Sequence, residues 1–292
     1  MKERLPEKSG ERQEDQWDQR MREEPGSVQL ENVPVTARDH ENLGDQLCNE
    51  GRVTEAVAQY RKAVQMEDDN ASYRTRLGDA YAYSENSQKA VSEYRRALKK
   101  NPRRAEPHYS LGEIYRRYGK LTAAVASYRK AVQFNPMNPF YRYKLGDALA
   151  QMGLMQEAVL HLEIAVQITE TDSFYHFFLA DLLALSGRLG DAIIEMQQAT
   201  IFAPCDAYYN LRLGMLYMRG GFMDDAVNAL RRAVKLRPGD SAYRAVLADA
   251  LIRIGQEQEA LQQYRMAGQL DAYDATVLDR LRKYSSSEND AD

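Results

Sequence analysis

Residues 105–138 read AEPHYSLGEIYRRYGKLTAAVASYRKAVQFNPMN, and this stretch of 34 residues decides the fold. Written in rows of 34 from Ala37, the chain gives seven rows without an insertion or deletion, ending at Asp274. The rows are residues 37–70, 71–104, 105–138, 139–172, 173–206, 207–240 and 241–274. Self-similarity at a fixed period of this length is typical of a repeat architecture. We therefore number positions 1 to 34 within each repeat.

Each repeat predicts two helices. Position 7 is Leu throughout and position 8 is Gly or Ala, small enough for two helices to approach closely. Positions 20 and 27 are Ala in all seven repeats and share one face of a second helix. Position 15 is Gly except at Glu85, and Gly there favours a helix end in the left-handed conformation. The residues expected to cap the next helix at its N-terminus are Asn70, Asn138, Asp172, Asp206, Asp240 and Asp274.

These residues resemble the tetratricopeptide pattern, with Leu-Gly at positions 7 and 8, Ala at 20 and 27, Tyr at 24 and Pro at 32. On this resemblance residues 37–274 are identified as a member of the tetratricopeptide-repeat (TPR) family. It implies an all-α fold, a right-handed α-solenoid of seven helix-turn-helix repeats whose first helices line a concave, protein-binding groove. Position 4 departs from the usual Trp, and Tyr at position 3 is expected to replace its bulk. The residues at position 4 are His40, Arg74, His108, Arg142, His176, Asn210 and Arg244.

The two ends of the chain have different compositions from the repeats. A stack of repeats needs a closing helix, and residues 275–284 predict one, with Val277, Leu278 and Leu281 covering the last repeat. Residues 1–36 and 285–292 are charge-rich and predict disordered tails. Trp17, the only tryptophan, suggests a short anchor that docks on the groove, caps repeat one or joins two copies of the chain. The alternative is a solvated tail.

Composition excludes several classes of partner. The chain has 39 Lys and Arg against 43 Asp and Glu, and the acidic excess lies in the tails. Nucleic acid is not expected, because proteins that bind it concentrate positive charge. The longest apolar stretch, residues 174–185, is interrupted by Asp181 and too short to span a bilayer. Two distant cysteines and an N-terminus without an apolar signal core favour a cytoplasmic protein.

Motifs for chemistry are missing from the sequence. There is no phosphate-binding Gly-rich loop, so we expect no cofactor. The four histidines have no HxxxH or CxxC neighbour, so we expect no metal site, and the three at position 4 are expected to pack in the core. Neither Cys48 nor Cys205 lies in an activating motif. We therefore predict no catalytic residue and no enzyme.

Positions 2, 5, 6, 9, 12 and 13 of the first helix lie roughly opposite the Leu-Gly face. The TPR resemblance implies that this second face lines the groove. In repeats four to six this face carries Phe140, Tyr143, Phe174, Phe177, Phe178, Tyr208, Leu211, Met215 and Met218. A contiguous apolar patch on a surface indicates a binding site. Tyr143 alone also has a packing explanation, because the family often carries Tyr at position 5.

Position 9 carries an acidic ladder, consisting of Asp45, Asp79, Glu113, Asp147, Asp181 and Asp249. One interpretation is local pairing with bases three residues earlier, such as Arg76 and Lys144. The other is a partner segment that carries Lys or Arg. Acids here would repel the C-terminal carboxylate that some TPR proteins clamp.

The second helices carry a basic stripe that is interrupted in repeats four and five. It consists of Arg61, Lys62, Arg95, Arg96, Arg129, Lys130, Arg231 and Arg232, and we interpret it as a solvated face. The sequence thus favours a scaffold or adaptor that holds a partner segment in the groove. The alternatives are an assembly factor or structural subunit of a larger, even membrane-bound, complex, and a substrate-recruiting partner of a separate enzyme.

Overall fold

A computed structural model describes residues 36–271 and residues 279 and 280. Within these residues all regular secondary structure is α-helical. First helices begin at position 1 and second helices at position 17 of every repeat. The helices are α1 (Ala37–Asn49), α2 (Val53–Met66), α3 (Ala71–Tyr83), α4 (Ser87–Lys100), α5 (Ala105–Arg117), α6 (Leu121–Phe134), α7 (Pro139–Gln151), α8 (Met155–Ile168), α9 (Ser173–Leu185), α10 (Leu189–Phe202), α11 (Ala207–Gly220), α12 (Met223–Leu236), α13 (Ser241–Arg253) and α14 (Glu257–Leu270).

The helices form two compact units, with the boundary between Glu93 and Tyr94 inside α4. In the first unit α2 packs against both α1 and α3, and α1 also contacts α3. In the second unit each helix from α5 to α14 packs against the next one along the chain. The fold is therefore an all-α solenoid of helix-turn-helix repeats, as the sequence predicted.

Fourteen alanines at positions 20 and 27 have no solvent-exposed surface. They are Ala56, Ala63, Ala90, Ala97, Ala124, Ala131, Ala158, Ala165, Ala192, Ala199, Ala226, Ala233, Ala260 and Ala267. The leucines at position 7 are also buried, except Leu43 in the first repeat, which is half-buried. A larger side chain at an alanine position would overlap the facing helix, because protein cores are packed close to crystal density. These positions fix the spacing of the helices.

Glycine at position 8 makes room for the residue at position 24. A Cβ added to Gly44 would lie 2.6 Å from the ring of Tyr60, and one added to Gly214 would lie 2.6 Å from Leu230. The close approach predicted for this position therefore exists, but in the first repeat the atoms that fill it belong to the position 24 side chain rather than to a facing backbone.

Helix ends follow the predicted signals. The six glycines at position 15 have φ between 68° and 84°, and Glu85 has φ 61°. All seven turns thus use the left-handed conformation. Asn70, Asn138, Asp172, Asp206 and Asp240 each accept a hydrogen bond from a backbone N–H in the first turn of the following helix. Asp274 lies outside the described residues.

The tails and most of the predicted closing helix also lie outside the described residues. These parts include Trp17, Val277, Leu278 and Leu281, whose roles stay predictions. Asp279 and Arg280 are helical, and an Arg280 Nη lies 2.7 Å from a carboxylate oxygen of Asp249. Among the helices of residues 36–271 none is long and apolar enough to cross a membrane.

Candidate partner-binding site

Eight aromatic rings on the first helices of repeats three to six form a continuous chain, which we call the aromatic array. Successive ring centroids are between 4.6 and 6.1 Å apart. In order of contact the rings are Tyr109, Phe140, Tyr143, Phe174, Phe178 and Phe177, and Phe177 then contacts both Tyr208 and Tyr209. Six of the nine groove residues predicted from the sequence belong to this array, all of them in the second unit.

The array has exposed and buried members. Phe140 and Tyr208 at position 2 are 38% and 43% exposed, and Met215, seven residues after Tyr208 on α11, is 40% exposed. Tyr143, Phe174, Phe178 and Met218 are half-buried. The outer rings therefore offer apolar surface to a ligand, while the inner rings hold them in place.

The placement of Phe177 and Leu211 on the groove surface was wrong. Phe177 is 8% exposed and Leu211 is 9% exposed, and both belong to the core. Phe177 is covered because its ring stacks on Tyr209 of the next repeat with centroids 5.0 Å apart. Tyr109 stacks on Tyr141 in the same way, at 5.1 Å. A ring at position 5 thus packs under the position 3 tyrosine of the following repeat.

Tyr109 and Tyr209 are the two array members that were not among the predicted groove residues, and Tyr209 was expected only as a position 3 packing residue. Tyr109 extends the array. It stands at position 5 of repeat three, the position held by Tyr143 and Phe177 in repeats four and five. That shared position was the available signal. Its ring touches Phe140 edge-on at 5.7 Å and so extends the array into repeat three.

Tyr143 lies at the centre of the array, 4.6 Å from Phe178 and 4.9 Å from Phe174. Burial raises the pKa of its hydroxyl, and the nearby carboxylate of Asp147 raises it further. The hydroxyl is therefore protonated at neutral pH and can donate a hydrogen bond. It adds one polar contact to an otherwise apolar surface.

Four acids of the ladder pair with bases 31 residues later, three of them on the following repeat and one, Arg280, after repeat seven. Lys144 donates to Glu113 at 3.1 Å, and Arg212 binds Asp181. Arg280 binds Asp249 at 2.7 Å, and Arg76 lies 3.9 Å from Asp45. Local pairing within one helix was the wrong explanation for Lys144, which binds the acid of the preceding repeat.

The bases of these pairs alternate along the chain. Position 6 is basic in repeats two, four and six, and Arg280 occupies the same position after repeat seven. In the odd repeats position 6 holds Asn42, Ser110, Phe178 and Val246. Asp147 therefore faces a repeat with Phe178 instead of a base, and it accepts from Gln151 at 3.0 Å, with Arg116 4.0 Å away.

Tyrosines at position 24 hold several ladder acids from the side of the second helix. Tyr60 donates to Asp45 at 2.6 Å, and Tyr128 and Tyr264 donate to Glu113 and Asp249. Repeats four to six have Leu162, Met196 and Leu230 at this position. Repeats four to six, which carry seven of the eight rings of the array, therefore lack this tyrosine, whereas repeat three has both Tyr109 and Tyr128.

Position 4 holds a polar clamp that the sequence reasoning also missed. In repeats two, three, four, five and seven its side chain donates to the carbonyl oxygen six residues earlier, as His108 does to Pro102 at 3.0 Å and Arg142 to Pro136 at 2.8 Å. A second contact reaches position 23, as between His40 and Gln59 at 2.8 Å. The histidines are buried, as predicted for packing in place of Trp. In repeats one, two, five and seven the signal was the joint occurrence of a donor at position 4 and Gln or Glu at position 23.

Metal-ligating side chains do not cluster in the part of the chain that the structure describes. No group of three or more His, Cys, Asp or Glu side chains there could hold a metal ion. Cys48 and Cys205 are free thiols.

Two family models of known proteins match this chain. A family model described as TPR repeat matches residues 44–83, 78–117 and 112–153, and a second, described as Tetratricopeptide repeat, matches residues 211–275. No curated protein matched the chain.

Solved structures share the fold at low sequence identity. YrrB, described as a TPR protein with an unusual peptide-binding site, is 22% identical, with 61% of this chain and 92% of that chain covered and a TM-score of 0.55. PilF of Pseudomonas aeruginosa is 21% identical, with 73% and 97% covered and a TM-score of 0.60. The C-terminal part of a TPR repeat-containing protein from Cytophaga hutchinsonii is 15% identical, with 82% and 98% covered and a TM-score of 0.69.

Paired helices in a strict 34-residue period, with a ring-lined face on the first helices, define a helical repeat protein of the scaffold class. The chain belongs to the tetratricopeptide-repeat family. Proteins built from these repeats generally serve as protein-interaction scaffolds rather than as catalysts.

Proposed function

We propose that this protein is an adaptor that holds a segment of a partner protein against the aromatic array. The observation that carries the proposal is the continuous chain of rings with exposed apolar surface at Phe140, Tyr208 and Met215. Aromatic side chains supply much of the energy at protein interfaces because they bury a large area at a low cost in entropy. YrrB, which has the same fold, is described as having a peptide-binding site.

We expect the array to be rigid before it binds, because its rings pack on one another. Its exposed rings rest on half-buried rings, and these rest on core residues such as Phe177. A ligand that meets a fixed surface loses less conformational freedom in the complex, so more of the burial energy appears as affinity. We therefore expect partner binding without rearrangement of the first helices.

The partner segment is expected to be mainly apolar, with few basic residues. Glu113 and Asp181, which belong to repeats that contribute to the array, already bind Lys144 and Arg212. Asp147, whose side chain is 34% exposed, is the ladder acid of repeat four and lies one helical turn after Tyr143. A basic residue of the partner that pairs with Asp147 would give the association a modest dependence on salt.

The test measures partner binding by variants of the exposed rings. The partner is purified from the native host with the intact protein, and its affinity is then measured for each variant. Phe140→Ala and Tyr208→Ala are each expected to weaken binding by about 2 kcal/mol, the effect of truncating an interface anchor. Tyr118→Ala, which removes a 60% exposed ring outside the array, is the matched control and should bind normally.

Stability separates surface rings from core rings in the same set of variants. Phe140→Ala should leave the unfolding free energy nearly unchanged, whereas Phe177→Ala should lower it by about 3 kcal/mol, as for a buried Phe. The proposal fails if Phe140→Ala and Tyr208→Ala bind the partner as tightly as the wild-type protein.

A second candidate function, a subunit of a larger complex, is favoured by apolar residues on the second helices. Leu160 on α8 and Ile194 on α10 are 52% and 54% exposed, where the basic stripe is interrupted. Leu160→Gln and Ile194→Gln are measured in the same binding assay. Loss of the partner with these variants, and not with Phe140→Ala, would favour the subunit over the adaptor.

A further inference from the structure

The contact between positions 4 and 23 is different in repeat four. In repeats two and seven the position 4 arginine donates to a Glu or Gln at position 23, as Arg244 does to Gln263 at 3.0 Å. Repeat four has Arg142 at position 4 and His161 at position 23. Two basic residues thus stand where repeats one, two, five and seven pair a donor with an acceptor.

His161 lies on α8 with one nitrogen of its ring buried. The residue is half-buried, and its Nδ1 is shielded from solvent without a hydrogen-bond partner among the residues that the structure describes. A neutral imidazole carries one N–H, whereas a protonated ring carries an N–H on both nitrogens. Protonation of His161 would therefore leave a buried N–H at Nδ1 without an acceptor, which costs free energy.

The charges around His161 also oppose a proton on its ring. Arg142 on α7 and Arg129 on α6 are positive, and Glu157, one turn earlier on α8, is the negative group that acts on the ring. The Glu157 carboxylate is already bound by Arg129, at 2.7 and 2.9 Å. Burial lowers the pKa of His161, and the two arginines lower it further.

The remaining charged groups of α8, and of α7 and α9, which pack against it, are engaged in hydrogen bonds or ion pairs of their own. These are Lys144–Glu113 and Gln151–Asp147 on α7, Arg188–Glu163 on α8, and His176–Glu195 and Arg212–Asp181 on α9. The burial of the ring and the two arginines therefore decide its charge, and the ring is neutral in the folded protein at neutral pH.

We propose that His161 is an acid-sensitive point of repeat four, where uptake of a proton loosens the packing of α7 on α8. Phe140 and Tyr143 lie on α7, so the loosened form loses the centre of the aromatic array. This inference goes beyond the adaptor function and holds whether or not the array binds a partner.

The direction of the effect follows from the linkage between protonation and folding. Because the pKa of the ring is lowered in the folded protein, the opened form takes up a proton first, below about pH 6.5. Repeat four is therefore most stable above this pH and loses stability as the pH falls. A ring that stayed neutral while folded would raise the opening equilibrium constant about thirtyfold at about pH 5, which is the upper limit.

The experiment measures hydrogen exchange of the amides of α7 and α8 in the full chain, corrected for the intrinsic effect of pH on exchange. His161→Gln places at position 23 the residue found in repeats one and seven, which can accept from Arg142. The ratio of opening constants, wild type over His161→Gln, should rise severalfold between about pH 8 and about pH 5. Repeat six contains no histidine and is the internal control, in which this ratio should stay constant.

Arg142→Gln separates the two causes. It removes the facing positive charge and leaves the ring buried, so the rise should become smaller without disappearing. This rise is measured against the double variant Arg142→Gln/His161→Gln. Arg117→Gln makes the same change of charge at an exposed site on α5 and should leave the rise unchanged.

A ratio that stays constant in α7 and α8 would overturn the proposal, and so would an equal rise in repeat six. If His161→Gln does not fold, titration of the His161 ring proton by nuclear magnetic resonance in the wild-type protein decides. Its midpoint should lie below about pH 6.5, and a midpoint at or above that pH would contradict the proposal. None of these measurements uses a partner, so their failure is distinct from failure of the adaptor proposal.

Discussion

At the scale of single residues, the turn at Glu85 shows where the repeat is strained. Glu85 has φ 61°, the conformation that the other repeats assign to glycine. A residue with a Cβ pays about 1 to 2 kcal/mol there, because Cβ approaches its own carbonyl oxygen. The turn keeps its form because Asn86 N–H still donates to Tyr81 across it, at 2.8 Å.

Glu85→Gly should therefore stabilise the protein. Relief of the left-handed strain exceeds the extra chain entropy of glycine, so we expect a gain of about 0.5 to 1 kcal/mol in the free energy of unfolding. Gly119→Ala makes the reverse change in the equivalent turn and should cost a similar amount. Urea titration followed by circular dichroism measures both, and a loss of stability in Glu85→Gly would contradict the prediction.

The histidines of position 4 differ in their protonation although they share a place in the repeat. Burial opposes a charge on His176, but hydrogen bonds to the Glu195 carboxylate and the Glu170 carbonyl outweigh it and raise the pKa. Burial lowers the pKa of His108, and its bond to the Pro102 carbonyl does not compensate. Two histidines at the same position of different repeats thus have pKa values shifted in opposite directions.

These shifts predict opposite dependences of stability on pH. The contribution of His176 is fully present below about pH 6.5, the unfolded pKa, and is lost as pH rises through the higher folded pKa. His108 disfavours the folded state as pH falls below about 6.5, because the unfolded chain takes up the proton more readily. The unfolding free energies of His176→Gln and His108→Gln relative to wild type, measured from about pH 5 to 8.5, should slope in opposite directions. Parallel slopes would rule out these assignments.

At the scale of helices, the bounds and caps of the helices could be predicted from the sequence. The contacts between successive repeats could not. Helix starts, turns and N-caps follow from local residue types, so the 34-residue pattern predicted them well. Phe177 was misplaced because a helical wheel describes one helix, whereas its cover is Tyr209 on the next repeat. The wheel cannot tell which residues at the edge of a face a neighbour will bury.

The ion pairs of the acidic ladder also depend on contacts between repeats, which the pattern of a single helix does not show. Its acids were visible at position 9, but their partners lie 31 residues later on another helix. The alternation of bases at position 6 was present in the sequence. Only the packing of successive first helices shows that these bases bind the position 9 acids of the preceding repeat. Position 4 and position 23 likewise pair across the two helices of one repeat, as in His40 and Gln59.

At the scale of the whole molecule, the packing of each helix mainly on its neighbours makes the stability of a stack depend on its ends. Repeat seven has α13 and α14, and the predicted closing helix would cover it through Val277, Leu278 and Leu281. Arg280 continues the ladder by binding Asp249 at 2.7 Å. An apolar cover and an ion pair would therefore both hold the last repeat.

The apolar contribution and the ion-pair contribution can be separated by comparing deletion of residues 275–292 with Arg280→Ala and with deletion of residues 285–292. Loss of three apolar contacts should lower the opening free energy of α14 by about 3 kcal/mol or more, since each buried aliphatic side chain contributes about 1.5 to 3 kcal/mol. Arg280→Ala should cost less than about 1 kcal/mol, because the ion pair is partly exposed. Deletion of residues 285–292 alone should have no effect.

Hydrogen exchange of α13 and α14 measures the effect of all three changes, and light scattering detects self-association of the exposed end. Unchanged protection in the longer deletion would show that repeat seven needs no closing helix.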